Sequence, residues 1–262
     1  MTSALDVISF VEASVGHPLH SDEGVQHGSA QAPVRKALVC WMATREALER
    51  AGECGADLFI GHESLYYPYN AVNRPDAPAG WQDWPVNRAR REALERHGLT
   101  FLRLHGSLDE LCVFDEFAAL LGLGKPVAAD GTAKVYEVQP CTVADLAERV
   151  KERMGMAPLR VSAPRGLGQR VSRVGLPWGG VGLFVNVGYQ KKLLDMGCDV
   201  LIAGESDSYG FRFSAEVGVP MIETSHEASE NPGLRRFCDI LRTRFPALSV
   251  EFQEVPQPWQ WA

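Results

Sequence analysis

The sequence predicts an α/β fold built from two related halves whose strand ends face one cleft. Apolar strands alternate with amphipathic helices from residue 34 onward, which is typical of a mostly parallel sheet covered by helices. Residues 55–64 and 197–206 share Gly, Asp, Ile, Glu and Ser at matching positions. We expect the halves at residues 1–125 and 126–262, with ligands bound beyond the strand ends. Chance similarity is the alternative, because short strand-and-turn patterns recur readily.

Local patterns define the elements of the first half. Apolar residues at helical spacing mark the helices, apolar runs mark the strands, and Thr44 is suited to cap a helix. The predicted elements are a helix at 3–15, a loop at 16–33, a strand at 34–43, a helix from Thr44 to 53, a strand at 57–61, a helix at 86–97 and a strand at 99–105.

The second half repeats this alternation. Thr142 and Asp145 form a capping-box pattern, and Pro232 is suited to the first turn of a last helix. Because a proline disfavours helical geometry in the residue before it, we expect a structured turn at 226–231, although a turn and a helix would both let His226 and Glu230 converge. The predicted elements are strands at 133–139, 171–178, 199–203 and 219–223, and helices at 142–154, 181–196, 211–217 and 234–245.

Composition excludes several classes of protein. With 262 residues, 45% of them hydrophobic, the chain can bury a sizeable core. Lys plus Arg number 26 and Asp plus Glu 33, a formal charge of −7 without a basic cluster, so nucleic acid is not the expected partner. No basic leader precedes the first apolar residues and no apolar run could span a bilayer, which predicts a cytoplasmic protein without membrane contact. The six cysteines form no Cys-x-x-Cys pair and are expected to be free thiols.

Three predicted strands end at a histidine and a carboxylate. His62-Glu63 follows the strand at 57–61, where Gly61 allows a turn that brings both side chains to one point. For an isolated His-Glu pair, a surface histidine beside a solvated glutamate is the simpler interpretation.

His105 and Asp109 follow the next strand and share a face only if the turn there is helical. Ser107 or Asp109 as caps of a following helix is the alternative explanation.

His226 and Glu230 come after the strand at 219–223 and have the same spacing. A polar loop is the alternative here. Imidazoles and carboxylates without thiolates favour Zn²⁺, Mn²⁺ or Fe²⁺ over a structural Cys-rich zinc site.

Other motifs are weaker. Ser206 lies in a Gly-x-Ser-x-Ser sequence that lacks the last glycine of a nucleophile elbow. The glycines at 166–168 and 179–182 match no complete phosphate-binding loop and are interpreted as turns. The aromatic loop at 66–85 would cover a cleft or pack on the protein itself. His17, His20 and His27 would bind a metal or, in the favoured interpretation, belong to a mobile polar loop.

Taken together, these segments resemble the NIF3 family (NGG1p-interacting factor 3, also named GTP cyclohydrolase 1 type 2 homologues). The resemblance spans most of the chain, and the sequence from His226 to Glu230 is its most specific motif. It implies two α/β halves around a dinuclear metal site, often in a toroidal hexamer. The ligands it implies are His62, Glu63, Asp109, His226 and Glu230, with His105 as a possible addition. Where the family usually carries a His-His pair, this chain has His62-Glu63, which would favour harder ions or weaken one site.

The resemblance implies a metal-dependent hydrolase with two divalent ions (Zn, Fe or Mn) that acts on a small nucleotide-like or heterocyclic substrate. Asp109 and Glu230 are the expected shared carboxylates, Glu230 is a catalytic residue, and Glu205 is a supporting group or general base. The alternative is a non-catalytic metal-binding oligomeric scaffold that contacts protein partners through the aromatic loop or the tail at 256–262. A serine hydrolase acting through Ser206 is the third possibility.

Overall fold

Paired capping interactions start two helices of the computed structural model, which describes residues 2–156 and 158–259. The Asp6 N–H donates to Ser3 Oγ and the Ser3 N–H donates to the Asp6 carboxylate, at 3.2 and 2.8 Å. Thr142 and Asp145 make the same pair of bonds. The helices predicted at 3–15 and 142–154 are therefore confirmed.

Nine α-helical segments and thirteen strands lie in the described part of the chain. The helices are α1 (Ala4–Val15), α2 (Arg45–Glu53), α3 (Pro85–His97), α4 (Gly106–Leu108), α5 (Phe114–Leu120), α6 (Val143–Met154), α7 (Val187–Asp195), α8 (Ser208–Glu216) and α9 (His226–Arg244). The strands are β1 (Thr2–Ser3), β2 (Gly24–His27), β3 (Pro33–Val34), β4 (Lys36–Cys40), β5 (Leu58–Gly61), β6 (Thr100–Arg103), β7 (Pro126–Asp130), β8 (Ala133–Thr142), β9 (Arg160–Ser162), β10 (Arg170–Gly175), β11 (Val200–Ala203), β12 (Met221–Glu223) and β13 (Ser249–Gln253). Among the described residues, no helix is long and apolar enough to cross a membrane.

The chain forms two compact units. The first contains Met1–Val113 with Gly233–Ala262, and the second contains Phe114–Pro232. These units differ from the sequence halves 1–125 and 126–262 at both ends. The C-terminal segment joins the first unit because β13 pairs in parallel with β4. Helix α5 belongs to the second unit, where the Phe114 ring packs on Trp178 with centroids 4.9 Å apart.

In the first unit, five strands form a sheet in the order β13-β4-β5-β6-β2. The first four strands are parallel, and β2 pairs antiparallel with β6 at the edge. Buried residues of β4, β5, β6, α2 and α3 form the core, including Leu38, Leu48, Phe59, Leu94 and Phe101. Leu234, Phe237, Cys238 and Leu241 of α9 are also buried.

In the second unit, six strands form a sheet in the order β7-β8-β10-β11-β12-β9. The central β10, β11 and β12 are parallel, whereas β7, β8 and β9 pair antiparallel with their neighbours. Leu193 of α7 packs with Leu201 and Met221 in the core. The prediction of mostly parallel sheets therefore describes the middle of this sheet and not its edges.

The repeated segment occupies the same position in both sheets, since β5 lies between two parallel neighbours and so does β11. The aspartate before each strand, Asp57 or Asp199, accepts backbone N–H groups at or near the start of the adjacent strand. The donors are Arg35 and Lys36 for Asp57, and Ser172 and Arg173 for Asp199. After each strand, the glutamate N–H donates to a backbone carbonyl: Glu63 to Trp41 at 2.8 Å and Glu205 to Gly179 at 2.7 Å. The prediction of two related α/β halves is confirmed by these matching strand positions and backbone contacts.

Two sequence-based expectations are wrong. The stretch 16–33 contains β2, because Val25 and His27 pair with β6. The last helix begins at His226 and carries Pro232 inside it, so 226–231 is not a turn before the helix. The Ala228 N–H donates to Ser225 Oγ at 3.1 Å. This capping bond stabilises the start of the helix, seven residues before the proline.

Candidate metal centre

His62 directly follows β5 and has a fully buried side chain. Its Nδ1 lies 3.1 Å from the Leu104 carbonyl oxygen. Because a carbonyl only accepts, Nδ1 carries the proton and Nε2 keeps its lone pair. That Nε2 is 3.6 Å from Asp109 Oδ1. A backbone carbonyl that fixes one ring nitrogen while the other faces a carboxylate is the usual setting of a metal-binding histidine.

His105 and Asp109 are joined by one helical turn after β6, since the Asp109 N–H donates to the His105 carbonyl at 3.0 Å. Asp109 opens a π-helical turn, Asp109–Val113, of a type frequent at functional sites. The His105 ring meets the His62 ring edge-on with centroids 5.0 Å apart. One ligand atom from each of His62, His105 and Asp109 lies within 4.8 Å of the other two.

The loop before β2 supports this group. Asp22 Oδ2 lies 3.1 Å from His105 Nδ1, and Glu23 accepts the N–H groups of His105 and Ser107. Glu23, from another segment, thus takes the capping role that the alternative interpretation gave to Ser107 or Asp109. The hydrogen bond from His105 and the charge of Arg103 lower the pKa of Asp22 to about 2, against an opposing effect of burial.

Arg103 is completely buried at the end of β6. Its guanidinium donates to the His62 carbonyl at 3.2 Å and to the Tyr69 hydroxyl at 2.9 Å, and it contacts Asn70. It also forms an ion pair of 3.0 Å with Asp22. Arg103 therefore ties the loop after β5 to the loop before β2.

Glu63 is buried next to His62, with 4% of its surface exposed. Desolvation and then the negative charge of Glu63 raise the pKa of Tyr69 to about 12, although Arg103 opposes this shift. Glu63 therefore lies close enough to Tyr69, in the loop after β5, for its charge to act on the hydroxyl.

In the second unit, His226 and Glu230 lie one turn apart on α9. His226 Nε2 is 3.3 Å from Glu230 Oε1, and His226 Nδ1 is 3.0 Å from Glu205 Oε2. Glu230 is 2% exposed. Because α9 starts at His226, the helix itself brings this pair together.

Two glycines make room for this pair. A Cβ on Gly179 would overlap Glu230 Oε1, and a Cβ on Gly180 would lie 3.0 Å from His226 Cε1. The Gly179 N–H donates to Ser229 Oγ at 2.9 Å, and Ser229 donates to the His226 carbonyl. From the sequence, these glycines are interpreted as a simple turn. In the structure they allow the backbone to approach the Glu230 carboxylate closely.

The donor sets fit a divalent ion. Each unit presents imidazole nitrogen and carboxylate oxygen at close range without thiolate, as Zn²⁺, Mn²⁺ and Fe²⁺ prefer. Nδ1 of both His62 and His226 is held by an oxygen, which leaves Nε2 as the atom that would face a metal ion in both.

Comparison with known proteins gives the family. The model of the Duf34/NIF3 (NGG1p interacting factor 3) family matches residues 19–258. The chain belongs to the NIF3 family. It is 30% identical over 236 residues to a GTP cyclohydrolase 1 type 2 homolog of Pseudomonas aeruginosa, covering 86% of this chain and 85% of that protein. A homolog of the same name from Neisseria meningitidis serogroup A is 24% identical over 231 residues, which is 84% of each chain.

Solved structures share the NIF3 fold. A Bacillus cereus protein related to NIF3 has a TM-score of 0.80 at 14% identity and covers 100% of this chain and 99% of its own. A NIF3 superfamily protein from Sphaerobacter thermophilus has a TM-score of 0.63 at 16% identity, covering 96% and 98%.

The remaining sequence candidates do not add ligand atoms to the two groups described above. Ser206 is buried and its hydroxyl donates to the Gly182 carbonyl at 2.8 Å, which does not match an exposed nucleophile. In the aromatic loop, Tyr66 packs into the core and contacts the Trp81 ring at a tilt, and Asn87 binds the loop backbone. The tail at 256–262 is described only as far as Trp259.

Sequence reasoning missed the groups that support the NIF3-type ligands. The only local signals were two acidic residues in the loop before β2, an arginine inside an apolar strand and a glycine pair after another strand. The missed residues are Asp22, Glu23, Tyr69, Arg103, Gly179, Gly180 and Ser229.

Proposed function

We propose that this NIF3-family protein is a metal-dependent hydrolase with two divalent metal ions, Zn, Fe or Mn. The proposed ligands are His62, Glu63, Asp109, His226 and Glu230, with His105 as a possible additional ligand.

One repeated arrangement carries this proposal. In the first unit, His62 has Nδ1 on a carbonyl oxygen and Nε2 facing Asp109. In the second unit, His226 has Nδ1 on Glu205 and Nε2 facing Glu230. In each unit, an oxygen bound to Nδ1 orients the imidazole so that Nε2 points at a carboxylate. This repeated arrangement favours metal binding over a chance contact.

The residues divide into ligands and supports. We assign Asp109 and Glu230 as shared carboxylates and Glu205 as the residue that orients His226. Bound divalent ions would activate water and stabilise negative charge that develops on the substrate. Among the chain's own groups, Arg103 holds the His62 backbone, and Gly179 leaves space for the Glu230 carboxylate.

A small nucleotide-like or heterocyclic molecule is the proposed substrate class. Its support is the name GTP cyclohydrolase 1 type 2 homolog, which the relatives from Pseudomonas and Neisseria carry. We further propose a cytoplasmic homohexamer. The six cysteines, all free thiols in the structure, agree with a reducing compartment.

Metal content and turnover test the proposal together. Anomalous diffraction above and below the iron and zinc edges would count the ions and identify their ligands. Glu230→Gln is expected to lower metal content and to abolish hydrolysis of GTP and simpler heterocycles while the assembly stays intact by light scattering. His97→Ala is the control, because His97 also contacts a glutamate, Glu49, in a partly buried pair between α3 and α2.

A metal-binding scaffold is the competing function, and exposed aromatic side chains favour it. Tyr67, Tyr69 and Trp84 are 41%, 47% and 38% exposed. If Glu230→Gln lost its metal but the loaded native protein hydrolysed none of the tested substrates, the hydrolase proposal would fail. Binding partners retained by that variant would then support the scaffold.

A further inference from the structure

Three further side chains of the first unit, none of them assigned above, converge beside the π-helical turn that begins at Asp109. His17 and His20, from the loop after α1, both contact Glu110 in the π-helical turn. The distances are 2.9 Å from His17 Nε2 to Glu110 Oε2 and 3.1 Å from His20 Nε2 to Glu110 Oε1. The imidazole rings lie 5.1 Å apart. These histidines are therefore placed by contacts, in contrast to the mobile polar loop favoured by the sequence.

The hydrogen bonds of His17 leave two acceptor atoms, its Nε2 and a Glu110 oxygen, facing each other. Its Nδ1 is 2.7 Å from the Pro18 carbonyl oxygen, so Nδ1 carries a proton. In a neutral ring, Nε2 then has only a lone pair and faces a carboxylate oxygen, which is also an acceptor. Either a second proton or a metal ion has to lie between them.

His20 can donate from Nε2 as a neutral ring, so a single extra proton, on His17, would satisfy the cluster. One divalent cation would instead satisfy both nitrogens and the carboxylate at once, and two imidazoles with one carboxylate are a ligand set that suits zinc. Ligand atoms in a tetrahedral zinc site are about 3.3 Å apart, which follows from zinc–nitrogen and zinc–oxygen bonds near 2 Å. The two nitrogen–oxygen separations, 2.9 and 3.1 Å, need only a small outward movement to reach that value, and all three ligand atoms lie within 4.8 Å of one another.

The backbone around the cluster is fixed. The His20 N–H donates to Glu23 at 2.7 Å, and Glu23 also accepts from Ser107 within α4. A Cβ on Gly106 would lie 2.8 Å from the His20 ring, so the absence of a side chain there leaves room for the imidazole.

We propose that His17, His20 and Glu110 form a second type of metal site in this protein, an open zinc site with two imidazoles, one carboxylate and a water. Such a three-residue ligand set leaves one coordination position open. Because Asp22 and Glu23 belong to the same loop, the bound ion would also hold the groups that contact His105.

Zinc counting tests the proposal in the full-length protein. Apoprotein is dialysed against Zn²⁺, and zinc per chain is measured for the native protein, His17→Ala/His20→Ala, Glu230→Gln and the combined variant. We expect the His17/His20 variant to lose one zinc per chain whether or not Glu230 is replaced. A zinc-edge anomalous peak is expected among the three ligand atoms in native crystals.

His97→Ala/Glu49→Gln is the matched control. It removes a similar histidine–glutamate contact of 2.7 Å, but Arg96 binds the same carboxylate and would repel a cation. This control is expected to keep its full zinc content. An unchanged zinc count in the His17/His20 variant, with circular dichroism like that of the native protein, would overturn the proposal. A loss confined to Glu230→Gln would do so as well, and would leave the hydrolase proposal standing.

Discussion

Gly179 lies so close to Glu230 that any side chain at position 179 would overlap the Glu230 carboxylate. Gly179 also has a φ of +48°, a left-handed conformation that glycine adopts without strain. Shape and backbone geometry both require glycine here, next to a proposed metal ligand.

Gly179→Ala is expected to weaken metal binding at least tenfold, because the methyl group displaces the Glu230 carboxylate from His226. The positive φ should add a destabilisation of about 1 kcal/mol. Isothermal titration of the apoprotein with Zn²⁺ and urea unfolding measure the two effects separately.

Gly131→Ala is the control for backbone strain. Gly131 has a φ of +62°, but no atom lies within 4 Å of the position of its Cβ. This variant should lose about as much stability as Gly179→Ala from the backbone alone and bind metal normally. Equal metal affinity in both variants would mean that contact with Glu230 does not matter.

Arg103→Met is expected to destabilise the protein by about 3–5 kcal/mol, because it leaves the Asp22 carboxylate without its buried partner. It also removes the bond to the His62 carbonyl, so metal affinity should fall too. Urea unfolding measures the first effect and metal titration the second. Arg74→Ala, which breaks an exposed ion pair with Asp76, is the comparison and should leave the unfolding midpoint in place. A stable Arg103→Met protein would show that the buried network contributes little.

The fold was predictable from sequence where local signals agreed. Thr44 and Thr142 cap helices as expected, and the strands before His62 and His105 end within about two residues of their predicted ends. Pro232 misled the prediction because its local effect is opposed by Ser225, which starts the helix seven residues earlier.

The supporting groups of the candidate metal centre were not predictable in the same way. Asp22 acts across 83 residues on His105, and Gly179 across 51 residues on Glu230. Neither relationship leaves a periodic pattern in the sequence. Strand ends identify ligands, whereas the residues that orient them depend on tertiary contacts.

Asp22 is expected to make stability depend on pH in the acid range. Its pKa in the folded protein is about 2, below the ordinary value of 3.8, so its stabilisation is complete above about pH 4. As the pH falls toward 2, Asp22 takes up a proton and this contribution disappears. The shift corresponds to roughly 2 kcal/mol.

Asp22→Asn should therefore be less stable than the native protein by at least roughly 2 kcal/mol at pH 6, with a smaller difference at pH 3. Urea unfolding at several pH values measures this. Asp76→Asn, at the exposed pair with Arg74, should follow the native curve. A difference that stays constant between pH 6 and pH 2.5 would contradict the assigned titration.

The duplicated aspartates give the last prediction. Asp57 and Asp199 each accept backbone N–H groups from an adjacent strand segment, at 2.8–3.1 Å. An asparagine keeps one acceptor oxygen and loses the charge, and hydrogen bonds to charged groups contribute about 1.5–3 kcal/mol. We expect Asp57→Asn and Asp199→Asn to destabilise the protein by similar amounts, about 1–2 kcal/mol each by urea unfolding. Asp195→Asn breaks only an exposed pair with Lys191 and should be neutral. If one duplicated aspartate proved essential and the other dispensable, the shared contacts would not reflect equivalent roles in the two sheets.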